Sequence, residues 1–214
     1  MQPQSLLWAD LPAAEAAAAQ ALIAGCPNID LASGEARGLE GDAVLVVVES
    51  GLVVMRVGGT PLRRELVSCD AAAGAVLPAP DADETVHALL PATLTVISRS
   101  AREDLLEVPA VSRIVLDALE TAARRARDHS RVFVHLRHRE RVRERLLQLA
   151  RDHGRVTRTG VRLDFPLTHE LLAAMIGSAR ESVTRAVDEL ERERFLAREG
   201  RRYRLLIAPA SLRR

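Results

Sequence analysis

The stretch that decides the fold is 168-THELLAAMIGSARESVTRAVDELERERFL-196. Apolar residues recur at helical spacing in both of its halves, and Gly177 separates the halves. Glycine tolerates the turn conformation that lets two short helices cross steeply. If the apolar residues of each half face inward, one side of the second helix stays outside. That side carries Arg180, Glu181, Thr184, Arg185 and Asp188.

These side chains suit the edges of DNA bases. In a helix-turn-helix, the first turns of the second helix enter the major groove. Arginine donates two hydrogen bonds to guanine, glutamate accepts one from cytosine, and the threonine methyl contacts the thymine methyl. Because a surface that binds only phosphates gains nothing from a carboxylate, the pattern predicts base reading by Arg180, Glu181, Thr184 and Arg185.

A purely structural interpretation fits some of the same residues. Ser178-Ala-Arg-Glu181 matches a capping box, in which Glu181 folds back on the start of its own helix. Arg185 lies one turn from Glu181 and could pair with it. The sequence leaves both alternatives open.

The flanks of this stretch predict a winged helix over residues 139–214. A helix whose apolar residues are Val142, Leu146, Leu147 and Leu149 ends at Gly154. A strand pair around Thr159-Gly160 follows it, and a hairpin around Glu199-Gly200 follows the two short helices.

The first 108 residues predict a small antiparallel β-roll that follows an alanine-rich helix over residues 9–24, with Asp10 as its N-cap. Tight turns are expected at Ser50-Gly51 and at Gly58 to Pro61. The predicted strands are VLVVVE, LVVMRV, LRRELVS, TVHALL and TLTVIS.

Residues 109–138 predict one long helix with a narrow seam of mostly small apolar side chains. A seam this narrow suits a second helix, so it predicts a dimer interface; the alternative is packing on the chain's own domain. The seam consists of Val108, Val111, Val115, Ala118, Ala122, Ala126, His129 and Phe133.

Composition separates the two halves of the chain. Residues 1–107 hold 6 arginines and 15 acidic residues, a net charge of −9, while residues 108–214 hold 24 and 14, a net charge of +10. A basic C-terminal half predicts a polyanionic partner. With no apolar run of about 18 residues, no membrane span is predicted, and a cytoplasmic protein is expected.

Catalytic and metal chemistry is not expected. The two cysteines, Cys26 and Cys69, are too few and too isolated for a zinc site or an iron–sulfur cluster. The sequence shows no nucleophile–base pair, metal-ligand cluster or phosphate loop. We therefore predict no enzyme activity, metal or cofactor.

Residues 166–207 resemble the C-terminal domain of the cyclic-AMP receptor protein and fumarate-nitrate regulator (Crp-Fnr) family of bacterial transcription factors. The resemblance lies in Leu167-Thr168, in Ile176-Gly177, and in 180-RESVTR-185, where the family has its recognition helix. It implies an α+β chain with a cyclic-nucleotide-binding-like roll, degenerate here (1–108), a dimerisation helix (109–138) and a winged helix-turn-helix (139–214).

The resemblance also implies roles for individual residues. Arg180, Glu181 and Arg185 are implied as base readers, with Thr184 and Ser178 on the same DNA-facing surface. Phosphate contacts are implied for Thr168, His169, Arg201 and Arg202. The implied partners are a second copy of the chain and double-stranded DNA with a palindromic operator. RNA polymerase remains an open partner, and the sequence does not choose between activation and repression.

The roll departs from the pattern of cyclic-nucleotide binders. Gly74 is followed by Ala75 where those proteins have glutamate, and Ala82 and Asp83 align with their arginine and serine. An acidic segment in place of a phosphate cradle predicts that cyclic AMP is not the effector. Haem ligation by His87, Cys69 or Met55, another small molecule, and a protein-binding module with only non-specific DNA affinity remain alternatives.

Overall fold

The structure is a computed structural model that describes residues 6–9, 11–39, 41–58, 65–135 and 137–212. Two compact units are present, one within residues 1–57 and 68–127 and the other within residues 58–67 and 128–214. Asp10 and the turn from Gly59 to Pro61, for which we made predictions, lie outside the described residues. No helix in the described part of the chain is both long and apolar enough to cross a membrane.

An antiparallel sheet forms the centre of the N-terminal unit, as predicted. Its central strands pair in the order β1-β6-β3-β4, while β2 adds to β6 and β5 to β3. The strands are β1 Asn28–Leu31, β2 Ala36–Arg37, β3 Ala43–Val57, β4 Leu66–Ala72, β5 Val76–Pro78 and β6 Glu84–Ser98. The helices are α1 Ala13–Ile23, α2 Arg99–Leu106 and α3 Pro109–His135.

The turn predicted at Ser50-Gly51 is wrong. β3 runs through it as one strand of 15 residues and pairs along its length with β6, which joins the two predicted strands TVHALL and TLTVIS. The register shifts between Val48 and Val53 mark an irregular, bulged segment. Gly51 has φ +86° there, and a Cβ on it would lie 2.3 Å from the Pro91 carbonyl oxygen. The glycine thus bends a continuous strand and does not end it.

Two apolar clusters hold the N-terminal unit together. One lies inside the roll and is built from β3, β6 and their neighbours, with Val46, Val53 and Leu94 fully buried. The other packs Trp8 and α1 against α2, the start of α3 and the opposite side chains of β3. The short strands β1, β2 and β5 and the helix α2 were not predicted, since each is too short for a clear periodicity.

The predicted seam of α3 packs on its own unit. Val111 and Val115 are buried with Trp8 and α1, and Ala122 packs against the roll. For Val111 and Val115 the interpretation as a dimer seam is therefore corrected, because the chain's own unit already covers them. The side chains of His129 and Phe133 lie outside the described part. On another side of the helix, Leu116 is 58% exposed and Ala123 is exposed.

The C-terminal unit has the predicted winged-helix order. Its four strands pair as β7-β8-β10-β9, all antiparallel. Gly154 ends the first helix, and both hairpins lie where turn residues predicted them. The elements are α4 His138–His153, β7 Arg155–Thr157, β8 Gly160–Leu163, α5 His169–Ile176, α6 Arg180–Arg192, β9 Leu196–Glu199 and β10 Arg202–Leu205.

We predict that Gly51→Ala destabilises the N-terminal unit by about 2 to 4 kcal/mol, because it adds a backbone clash to a left-handed φ. Trp8, the single tryptophan, is buried in this unit, so its fluorescence in urea reports the unfolding. Gly34→Ala is the matched control: Gly34 has φ +87°, but the space that a Cβ would enter is open. Equal losses of stability in the two variants would contradict the close approach at Gly51.

Candidate nucleic-acid interface

Local backbone chemistry sets the start and end of α5. Thr168 is the N-cap, and its Oγ1 accepts a 3.1 Å hydrogen bond from the Leu171 backbone N–H. Gly177 closes the helix in the left-handed conformation, with φ 60° and ψ 40°. The chain can therefore turn within three residues, 177–179, and begin α6 at Arg180.

The apolar sides of α5 and α6 face the core of the C-terminal unit. Leu172 in α5 and Val183, Val187 and Leu190 in α6 have no exposed surface. This burial fixes the rotation of α6 about its own axis. Its polar side must then face outward.

The start of α6 does not form the capping box that the sequence allowed. Its N-cap is Ala179, and no side chain caps it. Ser178 is only 5% exposed, and its hydroxyl lies 2.8 Å from Nδ1 of His138 on α4. The sequence predicts Ser178 on the DNA-facing surface, and this prediction is wrong. The side chain is buried and connects α4 to the turn between α5 and α6.

The remaining predicted base readers lie on the outward side of α6. Arg180, Glu181 and Arg185 are exposed, and Thr184 is half-buried. The Arg185 Nε donates to the backbone carbonyl of Glu181 at 3.4 Å, a long contact that leaves the carboxylate unpaired with it. The ion pair proposed as the structural alternative is therefore not formed.

His169 and Thr184 connect α5 to α6. Nδ1 of His169 lies 2.8 Å from Oγ1 of Thr184, and that hydroxyl donates to the carbonyl oxygen of Arg180 at 3.0 Å. Burial lowers the pKa of His169, and the nearby guanidinium of Arg198 lowers it further. The sequence predicted a phosphate contact for His169 and gave no signal for its bond to Thr184.

Arg198, which sequence reasoning missed, ties the wing to α6. From β9 its guanidinium contacts Asp188 at 3.0 Å and is bonded to Glu191. These bonds lower the pKa of the Glu191 carboxyl. Burial raises the pKa of Tyr203, on the neighbouring strand, to about 12. Asp188, counted among the outward residues, is thus engaged by the protein itself.

The wing turn carries two exposed arginines. Arg201 and Arg202 follow Gly200, which has φ 66°. The backbone carbonyl of Arg201 accepts a 2.7 Å hydrogen bond from the Leu167 N–H. Because Leu167 precedes the N-cap Thr168, this bond fixes the turn next to the start of α5.

The N-terminal unit contains a cavity of about 340 Å³ between the roll and α3. Most of its lining is apolar. Cys69 and Met55, two of the candidate haem ligands, lie in this lining, whereas His87 pairs with Ala36 of β2 along the sheet. Burial raises the pKa of the Cys69 thiol to about 11, aided by the Asp70 carboxylate. The lining is formed by Met55, Ser68, Cys69, Leu77, Pro78, Glu84, Leu119, Ala122, Ala123 and Ala126.

The acidic segment beside this cavity is an exposed turn. The Glu84 N–H donates to the Asp81 carbonyl at 2.9 Å, and the Asp81 N–H donates to the Glu84 carboxylate at 3.1 Å. Ala82 and Asp83 are exposed and do not line the cavity. Glu84 is the acidic group among the described lining residues, and no arginine is among them.

Comparison with known proteins agrees with this geometry. A family model described as the Crp-like helix-turn-helix domain matches residues 140–214. The global nitrogen regulator of Synechococcus elongatus is 29% identical over 93 residues. That match covers 44% of this chain and 42% of the relative, so it spans less than half of either protein.

Two solved structures share the fold over most of the chain. A CRP-family transcriptional regulator from Thermus thermophilus is 24% identical with a TM-score of 0.70, covering 86% of this chain and 94% of its own. A CooA variant from Carboxydothermus hydrogenoformans is 20% identical with a TM-score of 0.73. The match covers 90% of this chain and 88% of the CooA chain. Together with the matched domain, these likenesses show a Crp-like helix-turn-helix domain at residues 140–214 and the fold of the two solved regulators over most of the chain.

Proposed function

We propose that this protein is a sequence-specific DNA-binding transcription regulator that acts in the cytoplasm as a homodimer and is not controlled by cyclic AMP. The observation that carries the proposal is the outward side of α6, where Arg180, Glu181 and Arg185 project from the first two turns. A helix presented in this way has the length and chemistry to read the edges of bases in a major groove.

The surroundings of α6 supply the contacts that such reading requires. Arg201 and Arg202 in the wing and Thr168 at the start of α5 are exposed. Phosphate contacts by groups of this kind fix the register of a protein on DNA without reading its sequence. This arrangement predicts that α6 discriminates between DNA sequences, whereas the wing adds affinity for DNA of any sequence.

The proposed homodimer is supported by exposed apolar residues of α3. Leu116 and Ala123 lie seven residues apart, hence on the same side of the helix; both are exposed, and Ala123 also lies at the edge of the cavity beside the roll. A second copy related by two-fold symmetry would bury both residues. Its two recognition helices would then read an inverted repeat with half-sites about one DNA turn apart.

The cavity supports an effector other than a cyclic nucleotide. A cyclic phosphate needs cationic or N–H partners, but the described lining offers the Glu84 carboxylate and mostly apolar side chains. The second residue of the cradle is Ala75, which has no carboxylate for a ribose hydroxyl. A small apolar molecule suits this lining better than a cyclic nucleotide, and it is our candidate for the effector that the N-terminal unit senses.

Leu116→Glu is predicted to give monomers, because it places a charge in the proposed interface without entering the core. Thr121→Glu is the control: it introduces the same charge at an exposed position on a different side of α3. Light scattering gives the mass, and circular dichroism checks the fold. If both variants stay dimeric, the interface lies elsewhere.

Neither cyclic AMP nor cyclic GMP is expected to bind. Titration calorimetry at millimolar nucleotide should show no saturable heat, because nothing in the described lining neutralises the cyclic phosphate. A dissociation constant in the micromolar range would overturn this prediction, and with it our alignment of Ala75 and of the turn at Ala82.

Arg180→Ala should cost about 1 to 3 kcal/mol on the preferred site and relax the preference at one base pair in each half-site. Arg201→Ala removes the same charge from the wing. It should weaken all sequences about equally and reduce the salt dependence by roughly one counterion per subunit. Site selection with purified protein defines the preferred site, and titrations on it and on random DNA give the affinities. If both variants lower specific and random binding by the same factor, α6 is only an electrostatic surface.

A further inference from the structure

The contact between His169 and Thr184 lies inside the proposed DNA-reading surface. His169 is the first residue of α5, and Thr184 lies in the second turn of α6, beside Arg180 and Arg185. The 2.8 Å contact between His169 Nδ1 and Thr184 Oγ1 is therefore a hydrogen bond between the two helices of the helix-turn-helix.

The hydrogen bonds of Thr184 favour one tautomer of the neutral His169 ring. A hydroxyl has one hydrogen, and the Thr184 hydroxyl gives it to the Arg180 carbonyl, which can only accept. In that arrangement the hydroxyl oxygen accepts from His169, and Nδ1 carries a hydrogen. In the neutral ring this leaves Nε2 without one, as an acceptor.

Burial and two nearby guanidinium groups favour the neutral form of the His169 ring in the free protein. Burial, Arg198 of β9 and Arg180 of α6 lower the pKa, whereas Asp188 of α6 raises it. Arg198 is itself paired with Asp188 and Glu191. A neutral ring with Nδ1–H presents a lone pair at Nε2, which repels a phosphate oxygen.

We propose that His169 is a positioning residue that holds Thr184 for base reading through its Nδ1–H, and that it takes up a proton when DNA binds so that Nε2–H donates to a backbone phosphate. The proposal rests on the proposed function as a DNA reader. It assigns the two nitrogens of one ring to two tasks, one directed at a neighbouring side chain and one at DNA.

The first task concerns the thymine methyl. With its oxygen held between His169 and the Arg180 carbonyl, the side chain of Thr184 has its Cγ2 methyl left for contact with a base. A methyl fixed in this way can contact the 5-methyl group of thymine. If the bond to His169 is lost, the hydroxyl keeps only its helix carbonyl, and the side chain is less restrained.

The second task predicts how affinity depends on pH. A phosphate near Nε2 favours the charged ring, so the pKa of His169 is higher in the complex than in the free protein. Binding then takes up a proton. The added affinity is fully present below the free-state pKa, declines as pH rises, and is lost above the bound-state pKa.

Two substitutions separate the two tasks. The amide nitrogen of His169→Asn occupies the place of Nδ1 and keeps a donor for Thr184, whereas that of His169→Gln reaches the place of Nε2. Affinity for the preferred site is measured from pH 5.5 to 8.5 at constant ionic strength, a range of about one pH unit or more on each side of an ordinary histidine pKa. The wild type should lose up to about tenfold more affinity per subunit over this range than either variant. The other histidines contribute equally to all three proteins.

Replacing each thymine of the site by uracil removes only the 5-methyl group. We expect one thymine per half-site whose replacement weakens the wild type and His169→Asn several-fold, but not His169→Gln or Thr184→Ser. Equal pH dependence in the wild type and His169→Asn would overturn the proton uptake. An unchanged thymine preference in His169→Gln would overturn the positioning role.

A measurement without DNA keeps this proposal distinct from the proposed function. Long-range proton–nitrogen NMR of the free, full-length protein should show the Nδ1–H tautomer for His169, and the opposite tautomer would overturn the proposal. A third outcome separates the two proposals. If Arg180→Ala abolishes the sequence preference, the DNA-binding function stands. If the affinity of the wild type, His169→Asn and His169→Gln depends equally on pH, the role of His169 is overturned even though the Nδ1–H tautomer is present.

Discussion

The left-handed backbone at Gly177 is the constraint on which the DNA-binding surface depends. Because φ is positive there, α5 can end and α6 can begin within three residues. Both helices can then bury their apolar sides in one core. The burial of Val183, Val187 and Leu190 fixes the rotation of α6, and its polar side is presented outward as a consequence. The outward position of Arg180 thus follows from packing on the other side of the same helix.

The winged helix could be predicted almost completely from the sequence because its signals are local. Gly154 and Gly177 end helices, Thr168 caps one, and glycine marks both hairpins. What could not be predicted are contacts between elements distant in sequence. The bonds from His169 to Thr184 and from Ser178 to His138 join different helices, and no spacing rule encodes them. Ser178 illustrates the difference. The segment from Ser178 to Glu181 matches a capping box, but the Ser178 hydroxyl is bonded to His138 of α4.

The N-terminal unit was predicted less well, for a reason that its central strands make clear. A glycine in an apolar run is consistent with a tight turn or with a bulge in a continuous strand. Only the partner strand distinguishes them, and here β6 continues past Gly51. The seam of α3 shows the same limitation: periodicity identified the buried side of the helix correctly, but not which surface buries it. Val115 packs with α1 and Trp8 of its own unit.

The net charge of +10 on the C-terminal half overstates the surface available to DNA, because many arginines there are structural. Arg198 joins the wing to α6, Arg162 and Arg155 share Asp164, and Arg139 bridges Glu140 and Glu193. Among the described residues, Arg180, Arg201 and Arg202 form no ion pair with a carboxylate. An arginine already paired in the protein must give up its partner to bind a phosphate, whereas an unpaired one need not. The distribution of carboxylates therefore determines which of the many guanidinium groups in this half can bind DNA without first losing an ion pair.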